Sequence, residues 1–235
     1  MPDPDTPRLF ALVPCAGAGA RSGAGLPKQY VPIAGRAMVV HTLAALARVP
    51  RIEQTLVVLA PDDRMFEDHV PGVAQLRCRV VRCGGTTRAA TVAAGLEALG
   101  AAGASTDDWI LVHDAARCAI QPEWVERLID ACRRDPVGGL LALPLADTLK
   151  QERDGRAAAT LDRRGTWAAQ TPQMFRLGML RAALVAAGDG VTDEASAIEA
   201  QGLAPLLVTG ELANFKVTWP GDFALAERLL GGTPA

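Results

Sequence analysis

Glycines and two cations follow the first apolar run of the sequence, between Cys15 and Lys28. Gly17 and Gly19 could open a dinucleotide-binding turn, but position 22, where that fingerprint needs its third glycine, holds serine. A P-loop needs Gly-Lys before Ser or Thr, whereas the lysine here lies between proline and glutamine. A third interpretation is a glycine loop whose backbone N–H groups surround a triphosphate, with Arg21 and Lys28 as cations. A plain glycine-rich turn is the alternative.

A carboxylate stands just beyond another apolar run. Asp114 follows WILV and one histidine, His113. A single carboxylate at a strand end suits Mg²⁺, which takes one or two protein carboxylates and completes its shell with phosphates and water. An aspartate that caps a following helix is the alternative. We interpret His113 as a packed or hydrogen-bonded side chain rather than a metal ligand.

Two further segments could contact anions. Gly85, Arg88 and Thr91 lie in GGTTRAAT, which ends one predicted strand and opens a helix, and helix N-termini bind anions and polar acceptors. Thr91 could reach a base or a ribose; an ordinary capped helix start is the alternative. Lys216 stands alone in an apolar run, so its ammonium must reach solvent or find an anion such as a phosphate.

Other catalytic patterns are absent from the sequence. It has no Gly-x-Ser-x-Gly elbow, no HExxH and no CxxC, and its five cysteines are expected to be free thiols. Asp193 and Glu194 are adjacent and would point to different faces of a helix, so they are not predicted to be an acid–base pair. We predict that they complement the dipole of a helix whose N-cap is Thr192.

The elements that must position these residues alternate between apolar runs and amphipathic segments. The alternation predicts an α/β fold with a mostly parallel, Rossmann-like sheet and helices on both faces. Ligands of such sheets bind beyond the carboxyl ends of the strands, where the segments above should converge. Strands are predicted at 9–13, 54–60, 79–82, 109–112, 139–144 and 215–218, and helices at 37–49, 86–99, 122–134, 192–201 and 220–230.

One insertion departs from this pattern, at about residues 145–165. Arg-Asp-Gly-Arg separates two polar, β-capable runs at 147–152 and 157–162, and Asp-Gly is a strong hairpin signal. The hairpin should leave the core, either as an arm that reaches a partner subunit or as an exposed flap. Since no linker or repeat divides the sequence, we expect a single domain over 1–235.

Composition excludes several classes of function. A net charge of −2 gives no support for a nucleic-acid-binding surface. No apolar run approaches the roughly 18 residues that span a bilayer, so no membrane association is expected. The start, MPDPDTPR, resembles neither a signal nor a transit peptide, so we expect a cytoplasmic protein.

Taken together, the motifs resemble one family, the 2-C-methyl-D-erythritol 4-phosphate cytidylyltransferases of the non-mevalonate isoprenoid pathway. The resemblance covers nearly the whole chain and is specific in its combination of segments. In order these are VPCAGAGARSGAGLPKQY, GGTTRAATVAAGL, LVHDAAR, DT, AQTPQMF, TDEASAIE and NFKVTWPGDFALAE. It implies a single-domain nucleotidyltransferase fold with a protruding β-hairpin arm and a homodimer formed through that arm. It also implies Mg²⁺-dependent transfer of CMP from CTP to 2-C-methyl-D-erythritol 4-phosphate, with release of pyrophosphate.

The resemblance also implies roles for individual residues. Arg21, Lys28 and Lys216 would be the catalytic cations, and Asp114 would hold Mg²⁺. Positions matching the family's CTP site are Cys15, Ala16, Gly17, Gly19, Gly85, Arg88, Thr91 and Ala115. Positions matching its sugar-phosphate site are Arg117, Thr171 and Thr192, together with Thr148 and Arg163, which would come from the partner's arm. Ala213 stands where many members have aspartate, which puts the metal geometry in question.

Three alternatives stay open at this point. A cytidylyltransferase that makes CDP-ribitol shares the opening loop, QTPQ and the final lysine motif, but its relatives tend to lack the TDEAS and HDAAR forms. An NAD(P)-binding oxidoreductase would need an acidic residue about 20 positions after the glycines, where this chain has none. A catalytically silent nucleotide-binding protein would have no need of the retained cations.

Overall fold

The computed structural model describes residues 6–17 and 26–231, and the predictions for Gly19 and Arg21 lie outside them. The described part contains a seven-stranded sheet, two small two-stranded sheets, helices on both faces and short 3-10 turns. The seven-stranded sheet holds β1 (Leu9–Cys15), β4 (Gln54–Leu59), β5 (Cys78–Val81), β6 (Trp109–Val112), β7 (Gly138–Pro144), β10 (Trp167–Arg176) and β11 (Leu206–Thr209). The small sheets pair β2 (Pro32–Ile33) with β3 (Arg36–Ala37) and β8 (Leu149–Arg153) with β9 (Arg156–Leu161). The helices are α1 (Met38–Ala47), α2 (Phe66–His69), α3 (Arg88–Ala101), α4 (Pro122–Cys132), α5 (Leu177–Ala187), α6 (Glu194–Glu199) and α7 (Pro220–Gly231).

The large sheet is mostly parallel, as predicted. Its strand order is β11-β7-β10-β6-β1-β4-β5. Strand β1 pairs in parallel with β4 and β6, β4 with β5, and β11 with β7, whereas β10 runs antiparallel to both of its neighbours. The carboxyl ends of β1 and β6 therefore lie side by side at one edge.

Both faces of this sheet are covered by helices, as the alternation predicted. Alternate side chains of β1 enter two separate cores, since successive residues of a strand point to opposite faces. Ala11 and Val13 pack with residues of α1 and α4, while Phe10 and Leu12 pack with residues of α3, α5 and α6.

Helix α3 approaches the sheet at a glycine. A Cβ on Gly95 would lie 2.6 Å from Cδ1 of Leu12 and 2.8 Å from Cγ2 of Val58. Such separations are too short for real carbon contacts, so only glycine lets the helix pack this closely. The first turn of α3, with Arg88, is thereby held near the carboxyl end of β1.

The C-terminal part of the sequence prediction needs two corrections. The strand predicted at 215–218 is wrong: these residues form an extended segment outside the sheet, held by the Val217 N–H that donates to the Ala116 carbonyl at 2.8 Å. The last strand is β11. Thr192 is not the helix N-cap, because Asp193 fills that position and forms a capping box with Ser196.

The insertion forms the predicted hairpin. Strands β8 and β9 pair antiparallel, and the turn between them places Asp154 at φ +52° and Gly155 at φ +73°. Two consecutive left-handed residues match the turn that Asp-Gly favours. Every residue of β9 is exposed. A role of this hairpin as a dimer arm stays a prediction. None of the helices in the described ranges has the length and apolarity needed to cross a bilayer.

Candidate active site

A pocket of about 270 Å³ opens at the carboxyl ends of β1 and β6, beside the start of α3. The structure brings ten of the residues singled out in the sequence to its walls. They are Cys15, Ala16, Gly17, Lys28, Gly85, Arg88, Thr91, Asp114, Ala115 and Lys216. Four segments that are distant from one another in the sequence thus contribute residues to one site.

Asp114 is the centre of the charges in this pocket. Its Oδ1 accepts a hydrogen bond from Nε of Arg88 at 2.8 Å, and its Oδ2 lies 2.7 Å from Nζ of Lys216. The other side of the Arg88 guanidinium contacts both carboxylate oxygens of Glu194, at 2.7 and 3.0 Å. Four side chains of alternating sign, Glu194, Arg88, Asp114 and Lys216, therefore form a continuous row, which we call the charge row.

The charge row keeps Asp114 ionised despite its burial. Burial raises the pKa of Asp114, but the charges of Arg88 and Lys216 and their hydrogen bonds outweigh it, so that this pKa lies well below its usual range. Burial raises the pKa of Glu194, and the Arg88 charge opposes that rise without cancelling it. Burial lowers the pKa of Arg88, but its two carboxylate partners raise it above the usual value.

The structure excludes the alternative role of Asp114 and adds a contact to the expected role of Glu194. Asp114 does not cap a helix, since the chain turns after it and α4 begins only at Pro122. Glu194 does more than complement a helix dipole, because its carboxylate is buried against Arg88. Lys216 was expected either to reach solvent or to contact an anion, and it does both: its side chain is 42% exposed and its ammonium lies beside Asp114.

Behind Asp114, a chain of hydrogen bonds fixes His113. The Asp114 N–H donates to the Thr171 hydroxyl at 3.0 Å, and that hydroxyl lies 3.1 Å from Nδ1 of the imidazole. Nε2 lies 3.2 Å from the Arg117 carbonyl, a contact that requires a proton on this nitrogen. We assign the neutral Nε2–H tautomer from this network. Both ring nitrogens are thus engaged in hydrogen bonds, which agrees with a hydrogen-bonded residue rather than a metal ligand. Burial lowers the pKa of His113 to about 4.

Lys28 is positioned by a short 3-10 turn, Lys28–Tyr30, of which Gln29 and Tyr30 are buried. The Gln29 amide donates to the Cys15 carbonyl at 3.1 Å, and the Tyr30 hydroxyl donates to Oδ2 of Asp63 at 2.6 Å. Nζ of Lys28 donates to the Val217 carbonyl at 2.8 Å. The turn is therefore tied to the end of β1 and to the segment that carries Lys216.

The segment that leads into α3 packs closely on the ends of β1 and β4. A Cβ on Gly84 would lie 2.4 Å from Cβ of Ala16 and 2.7 Å from the Leu59 carbonyl, so only glycine fits there. Thr87 is the N-cap of α3 and accepts from the Ala90 N–H at 3.0 Å. The Thr91 hydroxyl donates to the Thr87 carbonyl at 2.9 Å, and its role at a base or ribose stays a prediction.

Several predicted residues lie elsewhere among the described residues. Arg117 is not among the described residues that line the pocket, and its guanidinium donates to the carbonyls of Asn214 and Ala169 at 2.7 and 3.2 Å. Thr171 is buried behind Asp114, and Thr192 is exposed just before α6. Thr148 and Arg163 line a separate groove on the hairpin with Thr160, Leu161 and Asp162.

The residues present suit a magnesium ion that takes one protein ligand. No cluster of three or more histidine, cysteine, aspartate or glutamate side chains suited to a metal occurs in the described ranges. Asp114 has about four lone-pair sites, of which Arg88 and Lys216 engage one on each oxygen. Within residues 6–17 and 26–231, a lone-pair site thus stays open on each oxygen, and Mg²⁺ can complete its shell with phosphates and water. Ala213 supplies no second carboxylate.

Sequence reasoning missed the residues that hold this site together. Gln29, Glu194 and Asn214 are buried polar side chains with specific partners. Each of them stands in a motif that carries the family resemblance, but no motif indicates which residue it contacts. The partners of Glu194 and Asn214 are distant in the sequence, so their contacts become visible only in the folded structure.

Comparison with known proteins gives a consistent result. Residues 9–232 match the family model described as 2-C-methyl-D-erythritol 4-phosphate cytidylyltransferase. The chain is 56% identical over 226 residues to a protein of that name from Laribacter hongkongensis, with 95% of this chain and 96% of that protein covered. It is 60% identical over 231 residues to a bifunctional enzyme IspD/IspF from Albidiferax ferrireducens, covering 98% of this chain and 55% of that longer protein.

A solved structure agrees in fold. The crystal structure of a 4-diphosphocytidyl-2C-methyl-D-erythritol synthase matches this structure with a TM-score of 0.84 at 42% sequence identity. The match covers 96% of this chain and 99% of the other. The predicted fold class, a mostly parallel nucleotidyltransferase-like sheet, is confirmed.

Proposed function

The chain belongs to the 2-C-methyl-D-erythritol 4-phosphate cytidylyltransferase family, and we propose that the pocket around Asp114 is where its reaction takes place. Enzymes of this family transfer a cytidylyl group from CTP to methylerythritol phosphate, in the synthesis of isoprenoid precursors. The observation that carries the proposal is the convergence of Lys28, Lys216 and Asp114 on a glycine-walled pocket at the carboxyl end of the sheet.

The chemistry explains why such a pocket needs cations more than a base. A phosphate monoester is mostly dianionic at pH 7, because its second pKa is about 6. An oxygen of the acceptor's phosphate attacks the α-phosphorus of CTP and forms a new P–O bond. The bond from that phosphorus to the bridging oxygen breaks, and pyrophosphate leaves with the electron pair. Because no proton has to be removed, the reaction is accelerated mainly by positioning of the reactants and by stabilisation of negative charge in the transition state.

In this proposal Lys28 and Lys216 act on opposite sides of the reacting group. Lys28 lies on the turn beside the end of β1 and stabilises the triphosphate and the departing pyrophosphate. Lys216 lies beside Asp114 and receives the acceptor's phosphate. Arg21 joins Lys28 by its place in the family motif. When bound, Mg²⁺ would neutralise phosphate charge, and Asp114 would be its protein ligand.

The proposal includes a homodimer and a cytoplasmic location. The groove that holds Thr148 and Arg163 lies on an exposed hairpin, and neither residue is among those that line the pocket in the described part of the chain. We therefore assign these two side chains to the sugar-phosphate site of a second copy of the chain.

The test is pyrophosphate release from CTP and Mg²⁺, with methylerythritol phosphate or ribitol 5-phosphate as the acceptor. We expect release with the first acceptor alone. In Lys28→Ala we expect kcat to fall by about 10²–10³, as in other sites that lose one preorganised donor. Arg134→Ala is the control, because it removes a positive charge from an exposed position after α4.

Two results would contradict the proposal. Release with ribitol 5-phosphate alone would change the acceptor while leaving the mechanism intact. A folded protein that binds CTP and releases pyrophosphate with neither acceptor would refute the activity, and the absence of a carboxylate at Ala213 would then be the first feature to reverse.

A further inference from the structure

Glu194 is a buried carboxylate that the proposed reaction does not use. It lies in the first turn of α6, and its side chain is 1% exposed. An ionised carboxylate this deeply buried is costly unless it is paired and hydrogen-bonded. Both of its oxygens contact Arg88, at 2.7 and 3.0 Å, which satisfies that requirement.

This pairing determines the direction in which Arg88 points. The guanidinium is planar and presents its donors as a rigid fork. With Nη1 and Nη2 held on Glu194, the edge that carries Nε faces Asp114, and Nε donates to Oδ1 at 2.8 Å. One arginine thus bridges two carboxylates that come from the end of β6 and the start of α6.

The same contacts engage all three nitrogens of an arginine that lines the pocket. An unpaired arginine at this place would turn toward a triphosphate, since guanidinium binds phosphate readily. With Glu194 present, the charges of the row sum to zero and both edges of the guanidinium are taken. The guanidinium of Arg88 is therefore directed at carboxylates on both edges.

We propose that Glu194 is a positioning residue, which holds Arg88 on Asp114 and keeps it away from the phosphates of CTP. The orientation of the Asp114 carboxylate is then set before nucleotide and metal arrive. Arg88 acts through Asp114 and is not itself a CTP ligand, in contrast to the role that the family resemblance implies. This inference rests on the proposed function of the pocket.

The main test is Glu194→Gln, which keeps size and removes the charge. Arg88 is then released, so metal-free binding of CTP, measured by calorimetry, should become several-fold tighter. Because Asp114 loses its support, kcat should fall about 10–100-fold, the usual cost of losing an outer-shell partner. A merely structural role would weaken binding and turnover together, so this opposite movement distinguishes the two.

Glu67→Gln is the matched control. Glu67 also contacts one arginine, Arg82, through both oxygens, at 2.6 and 2.7 Å, but its side chain is 58% exposed and it does not line the pocket. The same chemical change there should leave CTP affinity and kcat as in the wild type.

Arg88→Lys provides a second measurement if Glu194→Gln does not fold. Lysine keeps the charge but lacks the planar fork, so it cannot hold both oxygens of Glu194 in the same geometry while it contacts Asp114. We expect kcat to fall with little change in metal-free CTP affinity. A kcat equal to that of the wild type in Arg88→Lys would overturn the proposal. It would also be overturned if a folded Glu194→Gln protein bound CTP with unchanged or lower affinity. If the wild type itself releases no pyrophosphate, the proposed function fails first, so the two failures are distinguishable.

Discussion

At the scale of single residues, the site depends on buried polar groups that have partners. The Thr171 hydroxyl accepts from the Asp114 N–H and donates to Nδ1 of His113, while Nε2–H of the imidazole donates to the Arg117 carbonyl. Each donor in this series of hydrogen bonds has one acceptor. The arrangement holds only while the imidazole is neutral, because a protonated Nδ1 would face the hydroxyl as a second donor.

This predicts a loss of stability in mild acid. Burial lowers the pKa of His113 to about 4, whereas an unfolded histidine has a pKa near 6.5. Between these values the unfolded chain binds more protons, so the free energy of unfolding falls as the pH drops. The contribution is complete above about pH 6.5, and about 2 kcal/mol of it should be lost by pH 5.

His113→Asn tests this by removing the titrating group while keeping an acceptor near the position of Nδ1. Urea unfolding at pH 7.5 and at pH 5 gives the change in free energy for each protein. The variant should be less stable at pH 7.5 but lose less stability on acidification. An equal loss in both proteins would assign the acid sensitivity to other groups.

At the scale of elements, the start of α3 is positioned by how closely that helix lies on the sheet. Gly95 permits the approach, since a Cβ there would meet Leu12 and Val58 at less than 3 Å. Gly95→Ala should therefore lower the free energy of unfolding by about 1–3 kcal/mol, the usual cost of overpacking.

A second glycine of α3 is the matched control. A Cβ on Gly100 would meet only Nη1 of Arg181, at 3.9 Å. Gly100→Ala should therefore raise the free energy of unfolding by about 0.5–1 kcal/mol, because alanine restricts the unfolded chain. Thermal unfolding of both variants measures the difference, and equal effects would show that the close approach does not limit packing.

The sequence predicts the central elements well because they are continuous apolar runs. QTLVVL and WILV are short, continuous apolar runs, which is typical of buried strands, and polar residues or proline follow each run closely. Strand β10 escapes prediction because WAAQTPQMFR mixes polar residues with a proline, and its pairing with β7 shifts register between Ala169 and Gln173. The apolar segment 215–218 was misassigned because its burial is against Ala116 and α7 rather than in the sheet.

The sequence predicts the cations and glycines of the candidate site, but it does not predict the buried residues that hold those side chains in place. Lys28, Asp114 and Lys216 stand in short motifs whose residue types already suggest phosphate chemistry. Glu194 is separated from Arg88 by 106 positions, so no local pattern announces their contact. Family resemblance placed Arg88 at the nucleotide, and only the three-dimensional contacts show that its guanidinium faces two carboxylates.

At the scale of the whole molecule, the hairpin has no partner within the large sheet and exposes every residue of β9. A role in a second subunit can be tested by mixing two inactive variants, Lys28→Ala and Arg163→Ala. If the arm of one subunit completes the site of the other, each mixed dimer contains one intact site. Equal mixing should then restore about a quarter of the wild-type activity.

Each variant alone should be nearly inactive, and the mixture should be assayed after subunit exchange. Refolding the two proteins together provides that exchange, and a wild-type sample treated in the same way corrects for refolding losses. If Arg163 acts within its own subunit, every site in the mixture carries a defect. Activity would then stay at the level of the single variants.

The charge row also affects how CTP reaches the pocket. Its two positive and two negative groups cancel, and the whole chain carries a net charge of −2. Long-range attraction of a polyanion is therefore weak, and the nucleotide is recognised only once it touches the cations directly. The rate constant for association of CTP should therefore depend little on ionic strength. Selectivity would then come from residence in the pocket rather than from speed of arrival.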